Sequence, residues 1–294
     1  MKEKVVIGLW PLSGDFGKIL TKDLEETINF CLSSGINSFD LAPNYGRGFV
    51  EDKIGEIFQG NTKLLINTKF GSTREGEKKF SVSALRESLE TSLENMKLSK
   101  VNSLFLHNPR SEIKDFDEIE RLMTELKREN LINYSGISVA KNFSYECLPA
   151  FDEIQFDCNL LFLDDLKKYK YKYKKSYARS PLASGILSGK ISKNSKFSAE
   201  DHRSEWLFGE KLESLINQVE KIKEIKGNFT LASLSRKFLL ENKKIDKVIF
   251  GVKSPDHVKD ILKDLNSKKL DTDLVKDLYD LEKNNFGLNN ILKF

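Results

Sequence analysis

INSFDLAPNYG, at residues 36–46, is the first of three successive segments that decide the fold. Each segment is an apolar run that ends in a polar residue: Asp40 here, then Lys69 in KLLINTK, then His107 in VNSLFLH. Between the runs, apolar residues recur at three- and four-residue steps, which is typical of amphipathic helices. Strand-like runs that alternate with helices predict an α/β fold with a parallel sheet.

The same alternation continues along the chain, and eight strand-like runs can be counted. Eight alternating units predict a (β/α)8 TIM barrel. We expect residues 1–294 to form a single barrel domain, with Thr21 as the cap of the first helix and an extra C-terminal helix near residues 272–282. A long polar stretch at residues 188–210 interrupts the repeat, and loops of that length are usually functional lids or disordered segments.

The polar residues at the strand ends predict a proton-transfer site. In such a barrel the C-terminal ends of the strands converge on one mouth, so Asp40, Tyr45, Lys69 and His107 are expected to meet there. A tyrosine phenol has an ordinary pKa of about 10, and a nearby ammonium lowers it. A carboxylate keeps that ammonium charged, and an imidazole orients a carbonyl oxygen. Taken together these groups fit carbonyl reduction.

Each of these residues also has a structural interpretation when it is taken alone. His107 could be a satisfied polar residue at a strand end, and Asp40 and Lys69 could form an internal ion pair. Burying such a pair costs desolvation that the attraction need not recover, so stability alone explains it poorly. Tyr45 beside both would remain unexplained without chemistry.

The four residues and their flanks, FDLAPNYG, TKFG and LFLHNP, resemble the aldo-keto reductase superfamily over nearly the whole chain. The resemblance implies an oxidoreductase that reduces an aldehyde or ketone to an alcohol, or runs the reverse reaction. It also implies that hydride comes from NAD(P)H, that Tyr45 acts as general acid or base, and that Lys69, fixed by Asp40, assists it. His107 orients the carbonyl. Two rival hypotheses are an aldolase with Lys69 as Schiff base and a non-enzymatic NADP(H)-binding regulator of the same fold.

The resemblance also implies where the cofactor binds. No GxGxxG follows the first strand, which argues against a Rossmann-type site. In the family, NAD(P) lies across the barrel mouth: polar residues after the later strands hold the carboxamide, SPLASGILSGK (residues 180–190) wraps the pyrophosphate, and GVKSPDHV (residues 251–258) grips the 2′-phosphate. The residues so assigned are Ser138, Gln155, Arg179, Ser180, Leu182, Ser184, Gly185, Lys253, Ser254 and His257. NADP(H) is favoured over NAD(H).

Three departures from the family pattern bear on the cofactor. Val139 stands where many members carry Asn, and Arg179 stands where an aromatic residue often stacks on the nicotinamide. Arg can lay its planar guanidinium against a ring, but its positive charge favours a different balance between the oxidised and reduced cofactor, or an anionic substrate. An amide pair beside the adenine would fall at His257 and Ile261, neither of which carries an amide. Lys253 alone could be an ordinary surface lysine.

The substrate is expected to be a small-molecule carbonyl or alcohol compound. Trp10 and Trp206, with Tyr45 and His107, are the predicted substrate-binding residues. Aromatic walls accept sugar faces and hydrophobic aldehydes alike, so the substrate class stays open between a sugar-like carbonyl compound and a hydrophobic aldehyde. The loop segment DHRSEW brings an acid and a base at residues 201 and 203, which either bind a polar substrate or form an exposed ion pair.

The composition of the chain argues against several other classes of function. The net charge of +4 comes from 48 basic and 44 acidic residues, a balance too mild to predict nucleic-acid binding. KKYKYKYKK (residues 167–175) reads as a solvated helix end rather than a phosphate or single-strand contact. No apolar run reaches the roughly 18 residues of a membrane span, and the N-terminus lacks a signal-peptide pattern. We expect a cytoplasmic monomer without a membrane or nucleic-acid partner.

The cysteines and histidines give no sign of a metal site. Cys31, Cys147 and Cys158 lack metal-ligand spacing and are expected to be small buried hydrophobes. His202 and His257 have no ligand-like partners near them in the sequence. No metal is therefore predicted.

Overall fold

The structure is a computed structural model that describes residues 1–59, 61, 63–109, 113, 116–141, 143, 150–169 and 173–294. Eight parallel strands form a closed barrel in which each strand pairs with its neighbour in chain order and β8 pairs with β1. The predicted (β/α)8 TIM barrel is confirmed. The strands are β1 Val5–Gly8, β2 Ser38–Asp40, β3 Leu65–Phe70, β4 Val101–His107, β5 Ile132–Ser138, β6 Glu153–Asp157, β7 Lys175–Arg179 and β8 Lys247–Gly251.

Helices follow the strands and cover the barrel. They are α1 Thr21–Ser33, α2 Phe49–Ile57, α3 Val82–Met96, α4 Phe116–Arg128, α5 Asp164–Tyr169, α6 Gly209–Ile225, α7 Leu231–Leu240, α8 Pro255–Leu265 and α9 Thr272–Lys283. α9 follows the last barrel helix, where the sequence predicts an extra element. The prediction for the start of α1 was wrong: Thr21 is already helical, and the Asp23 carboxylate instead accepts from the Leu20 backbone N–H at 2.8 Å.

The core is divided by the barrel wall. Inside the barrel, Val6, Phe105, Tyr177 and Ile249 form a small buried cluster. Outside it, a larger cluster joins the outer faces of the strands to the helices. Strands that are buried on both faces read as near-continuous apolar runs, which is why the sequence signal was clear.

The register of the strands places the polar residues at one end. His107 on β4 lies opposite Ser138 on β5, and Ser138 lies opposite Gln155 on β6. Two residues further on, Asp157 lies opposite Arg179 on β7. These pairs form one rim at the C-terminal ends of the strands, which we call the mouth.

The segment at residues 188–210 follows β7, contributes residues to the rim of the mouth and is anchored on the loop after β1. The backbone N–H of His202 donates to the Asp15 carbonyl at 2.8 Å, and Phe16 forms a bridge with Asp201. Asp201 and Arg203 are not the exposed ion pair that one interpretation predicted, because Asp201 is buried and accepts from the Arg203 guanidinium at 2.6 and 2.9 Å. This pair fastens the segment rather than standing free in solvent.

Other features of the sequence fall into ordinary roles. Cys31 and Cys158 are buried free thiols, as expected, and burial raises the pKa of both; Cys147 lies outside the described residues. Of the basic-aromatic run, residues 170–172 also lie outside, while Lys167 pairs with Glu282 and Lys174 with Asp152. Among the described residues, no helix is long and apolar enough to cross a membrane.

Candidate active site

The mouth opens into a cavity of about 1240 Å³. Its lining includes the four predicted catalytic residues and eight further predicted residues: Trp10, Gln155, Arg179, Ser180, Leu182, Ser184, Gly185 and Trp206. From the last predicted segment, Lys253 and His257 also line it. Ser138 reaches it through a contact with Arg179, and Ser254 lies at the start of α8 outside the lining.

Lys69 is the centre of the predicted proton-transfer set. Its ammonium, which is 1% exposed, donates to Asp40 Oδ1 at 2.5 Å, to the Leu41 carbonyl at 2.7 Å and to Tyr45 Oη at 3.2 Å. Burial opposes this charge and is the largest single influence on it, but the charge and hydrogen bond of Asp40 and those of Tyr45 together outweigh burial, so the pKa of Lys69 is raised. Lys69 is therefore a buried cation whose hydrogen-bond donors are all used.

Tyr45 is positioned by a sharp turn after β2. Gly46 has φ +58°, and a Cβ there would lie 2.4 Å from the Ser13 carbonyl oxygen, so only glycine fits this close approach. The Tyr45 ring stacks on Trp10 at 5.7 Å between centroids and meets His107 edge-on at 6.3 Å. Trp10 is held in turn by its indole N–H, which donates to Asp15 Oδ2 at 2.7 Å.

The pKa of Tyr45 differs from the sequence-based prediction of a lowered value. Burial of the phenol raises the pKa of Tyr45, and the Lys69 charge offsets only part of that rise. Because the pKa of Tyr45 lies above its ordinary value of about 10, the phenol remains protonated at neutral pH. A buried, protonated phenol beside an ammonium is suited to give a proton to a developing alkoxide.

His107 presents a neutral imidazole to the cavity. It is 5% exposed at the end of β4, and its Nδ1 has no hydrogen-bond partner among the described residues. Burial and the charges of Lys69, Lys78 and Arg179 hold the pKa of His107 well below its ordinary value. A neutral imidazole can donate one N–H to a carbonyl oxygen without carrying charge into the site.

This pKa shift predicts a pH dependence of stability. The pKa of His107 is lowered on folding, so its stabilising contribution is present above the unfolded pKa of about 6.5 and is lost as the pH falls below it. Acidification from pH 7 to pH 5 should cost wild type about 1–2 kcal/mol more than it costs His107→Asn. Urea unfolding of both proteins at the two pH values measures the difference. Burial raises the pKa of Asp165 to about 7, so acidification over this range increases the stability contributed by Asp165. That contribution is the same in both proteins and cancels in the comparison.

The side chains of Gln155 and Ser138 in the mouth each use only part of their hydrogen-bonding capacity within the described residues. Gln155 Nε2 donates to Asp40 Oδ2 at 2.6 Å, while its buried Oε1 has no partner in the part of the chain that the structure describes. Ser138 Oγ accepts from Arg179 Nη1 at 3.1 Å, and no acceptor for its own hydroxyl proton is present among the described residues. Ser138 and Gln155 are register neighbours, so a free donor and a free acceptor lie side by side.

Sequence reasoning missed several residues of the mouth. Asn108, Lys141, Asp157 and Phe294 all line the cavity. Asn108 adopts a left-handed φ of +46° directly after His107, and asparagine is one of the few residues that tolerate it. The Lys141 ammonium lies 3.5 Å from the centroid of the Phe294 ring, a contact that a sequence pattern cannot anticipate because the two residues are remote in the chain. Within the described part of the chain, no group of His, Cys, Asp and Glu side chains could hold a metal ion.

Comparison with known proteins identifies the family of the chain. The model of the aldo/keto reductase family matches residues 4–283. L-galactose dehydrogenase from Arabidopsis thaliana is 26% identical over 279 residues, covering 87% of this chain and 82% of that protein.

Two solved structures have the same fold. The glycerol dehydrogenase AKR11B4 from Gluconobacter oxydans superposes with a TM-score of 0.80 at 21% identity, covering 99% of this chain and 94% of that one. The holo form of the aldo-keto reductase AKR11C1 from Bacillus halodurans superposes with a TM-score of 0.74 at 19% identity, covering 95% of this chain and 91% of that one. The chain therefore belongs to the aldo/keto reductase family and is an oxidoreductase that acts on carbonyl or alcohol groups.

Proposed function

We propose that the protein reduces an aldehyde or ketone with a nicotinamide nucleotide, and that Tyr45 is the proton donor. Members of the family use nicotinamide cofactors. The observation that carries the proposal is the hydrogen-bonded set of Tyr45, Lys69 and Asp40, facing His107 across the same cavity. Neither the aldolase nor the regulator hypothesis accounts for it: Lys69 is a fully bonded cation, and the chain is an oxidoreductase.

The open groups of the mouth fit a nicotinamide carboxamide. A primary carboxamide offers one acceptor oxygen and one N–H₂ donor, and the Ser138 hydroxyl and Gln155 Oε1 offer the complementary donor and acceptor. Leaving the buried Gln155 oxygen unpartnered costs about 1–3 kcal/mol, which a bound carboxamide would recover. Ser138 and Gln155 would hold the nicotinamide, and the cofactor when bound supplies the hydride.

The remaining steps belong to the protein. His107 donates a hydrogen bond to the carbonyl oxygen and fixes it beside Tyr45. Tyr45 transfers its phenolic proton to that oxygen as negative charge develops, and the Lys69 ammonium stabilises the phenolate that is left. Asp40 holds Lys69 charged throughout. In alcohol oxidation the same phenolate accepts the proton.

We propose NADP(H) as the preferred nucleotide, held at its 2′-phosphate by the start of α8. Lys253 is half-buried, its ammonium donates to the Phe16 carbonyl at 2.5 Å, and its backbone N–H donates to His257 Nδ1 at 3.2 Å. The Ser254 hydroxyl caps no backbone group of α8 and is free to bind a phosphate oxygen. Helix N-termini bind anions through their free N–H groups.

Lys253→Met tests this preference. A charge-assisted hydrogen bond contributes about 1.5–3 kcal/mol, so the variant should bind NADPH about tenfold to a hundredfold more weakly and NADH equally well. Fluorescence titration with each nucleotide measures both constants. Lys259→Met is the matched control, because Lys259 lies on the exposed face of the same helix and pairs with Asp256. An equal loss of affinity for the two nucleotides would show that Lys253 does not bind the 2′-phosphate. If wild type bound neither nucleotide, the proposal of a nicotinamide cofactor would be wrong.

For the substrate, we propose a small polyhydroxylated carbonyl compound. Trp10 and Trp206 line the cavity and offer aromatic faces of the kind that pack on sugars. The similarity to L-galactose dehydrogenase supports this class. A panel of aldoses, glyceraldehyde and apolar aldehydes tests it, and a kcat/KM that is highest for apolar aldehydes would contradict it.

A further inference from the structure

The guanidinium of Arg179 is a fixed positive charge in the mouth. Nη1 donates to Ser138 Oγ at 3.1 Å, and Nη2 donates to the Val139 carbonyl at 2.5 Å and to Asn108 Oδ1 at 3.2 Å. Asp157 Oδ2 lies 3.4 Å from Nη2. These contacts come from the ends of three different strands and leave the side chain no freedom to swing out toward solvent.

This charge acts on the reacting groups. It contributes to the lowered pKa of His107, after burial and the charges of Lys69 and Lys78, and it also favours the Tyr45 phenolate. A carbonyl carbon held by these two residues must lie about 3–3.5 Å from the hydride-donating carbon. A nicotinamide bound through Ser138 and Gln155, as the proposed function requires, therefore lies beside the guanidinium that already bonds Ser138.

The two redox forms of the nucleotide differ in the charge of this ring. The oxidised nicotinamide carries one positive charge, whereas the reduced ring is neutral and can stack on a guanidinium plane. Charges at close range interact strongly in a partly desolvated mouth. The only acid that contacts Arg179 among the described residues is Asp157, and its carboxylate also accepts from Ser180 Oγ at 2.6 Å, so it offsets the Arg179 charge only in part.

We propose that Arg179 is a specificity-determining residue that makes the site select the reduced nucleotide over the oxidised one. The inference rests on the proposed function and adds that the site works in the direction of carbonyl reduction. The site takes the reduced form from a mixed pool and releases the oxidised product readily, which limits product inhibition during carbonyl reduction. Hydride transfer from the reduced nucleotide becomes less favourable, because in that step the nicotinamide ring gains positive charge beside Arg179.

Binding of the two redox forms to variants of opposite charge tests the proposal. Dissociation constants for NADPH and NADP⁺, and for NADH and NAD⁺, are measured by fluorescence and calorimetric titration. For wild type we expect the oxidised form to bind at least tenfold more weakly than the reduced form. Arg179→Gln, which removes the charge, should reduce that ratio about tenfold. Asp157→Asn, which leaves the Arg179 charge without its counter-ion, should increase the ratio.

Arg179→Lys is the control for a merely structural role. It keeps the charge but not the fork of hydrogen bonds, so both affinities should fall while their ratio stays near that of wild type. Circular dichroism checks that each variant is folded. A ratio that is unchanged in both Arg179→Gln and Asp157→Asn would overturn the inference and leave the cofactor site standing. If wild type bound none of the four nucleotides, the proposed function would fail, and the inference with it.

Discussion

Replacing Tyr45 by Phe is expected to lower kcat by about two to four orders of magnitude, the range that a positioned proton donor contributes. The phenyl ring keeps the stack on Trp10 and the edge contact with His107, so the cavity keeps its shape. Nucleotide affinity should therefore stay within about twofold of wild type. Steady-state kinetics on the best substrate of the carbonyl panel, together with an NADPH titration, measures both quantities.

The matched control is Tyr279→Phe. Tyr279 is also partly buried, and its hydroxyl accepts from Asn242 Nδ2 at 2.7 Å on the outer side of the barrel, away from the mouth. Its loss should leave kcat unchanged. A Tyr45→Phe enzyme that turned over as fast as this control would remove Tyr45 from the mechanism.

Lys69→Met is expected to abolish turnover and also to destabilise the fold. Removing one member of a buried ion pair leaves the other charge uncompensated, at a cost of about 3–5 kcal/mol. Of the described residues, the Gln155 amide would be the one side-chain partner left to the Asp40 carboxylate. Urea unfolding measures the loss of stability, and kcat measures the loss of the charge that stabilises the Tyr45 phenolate.

The double variant Asp40→Asn with Lys69→Met separates the two effects. With no charge left at either position, most of the lost stability should return, because an uncharged pair of similar size carries no desolvation penalty. Turnover should not return, since the cation beside Tyr45 is still missing. Recovery of activity together with stability would mean that the pair is structural only.

The strand ends could be predicted because they depend on local patterns. Buried parallel strands read as continuous apolar runs, and a barrel brings their C-terminal ends together whatever the helices between them contain. Asp40, Lys69 and His107 could thus be placed at one mouth from the sequence. The fold and the family were both confirmed.

What could not be predicted depends on distances between segments that are remote in the chain. The sequence gives the groups that act on Tyr45 but not the extent of its burial, and burial reverses the direction of the pKa shift. The contacts of Arg179 likewise depend on Asn108 and Val139 reaching it across the barrel. The Asp201–Arg203 pair is buried only because the segment that carries it crosses to Phe16.

The most direct test of the proposed function is hydride transfer itself. The purified protein is incubated with a polyhydroxylated aldehyde and NADPH that carries deuterium on the transferring face of its nicotinamide ring, and the alcohol product is analysed by mass spectrometry. We predict one deuterium on the former carbonyl carbon of the product, and none with Tyr45→Phe over the same time. Product without deuterium, or equal labelling by the variant, would contradict the account.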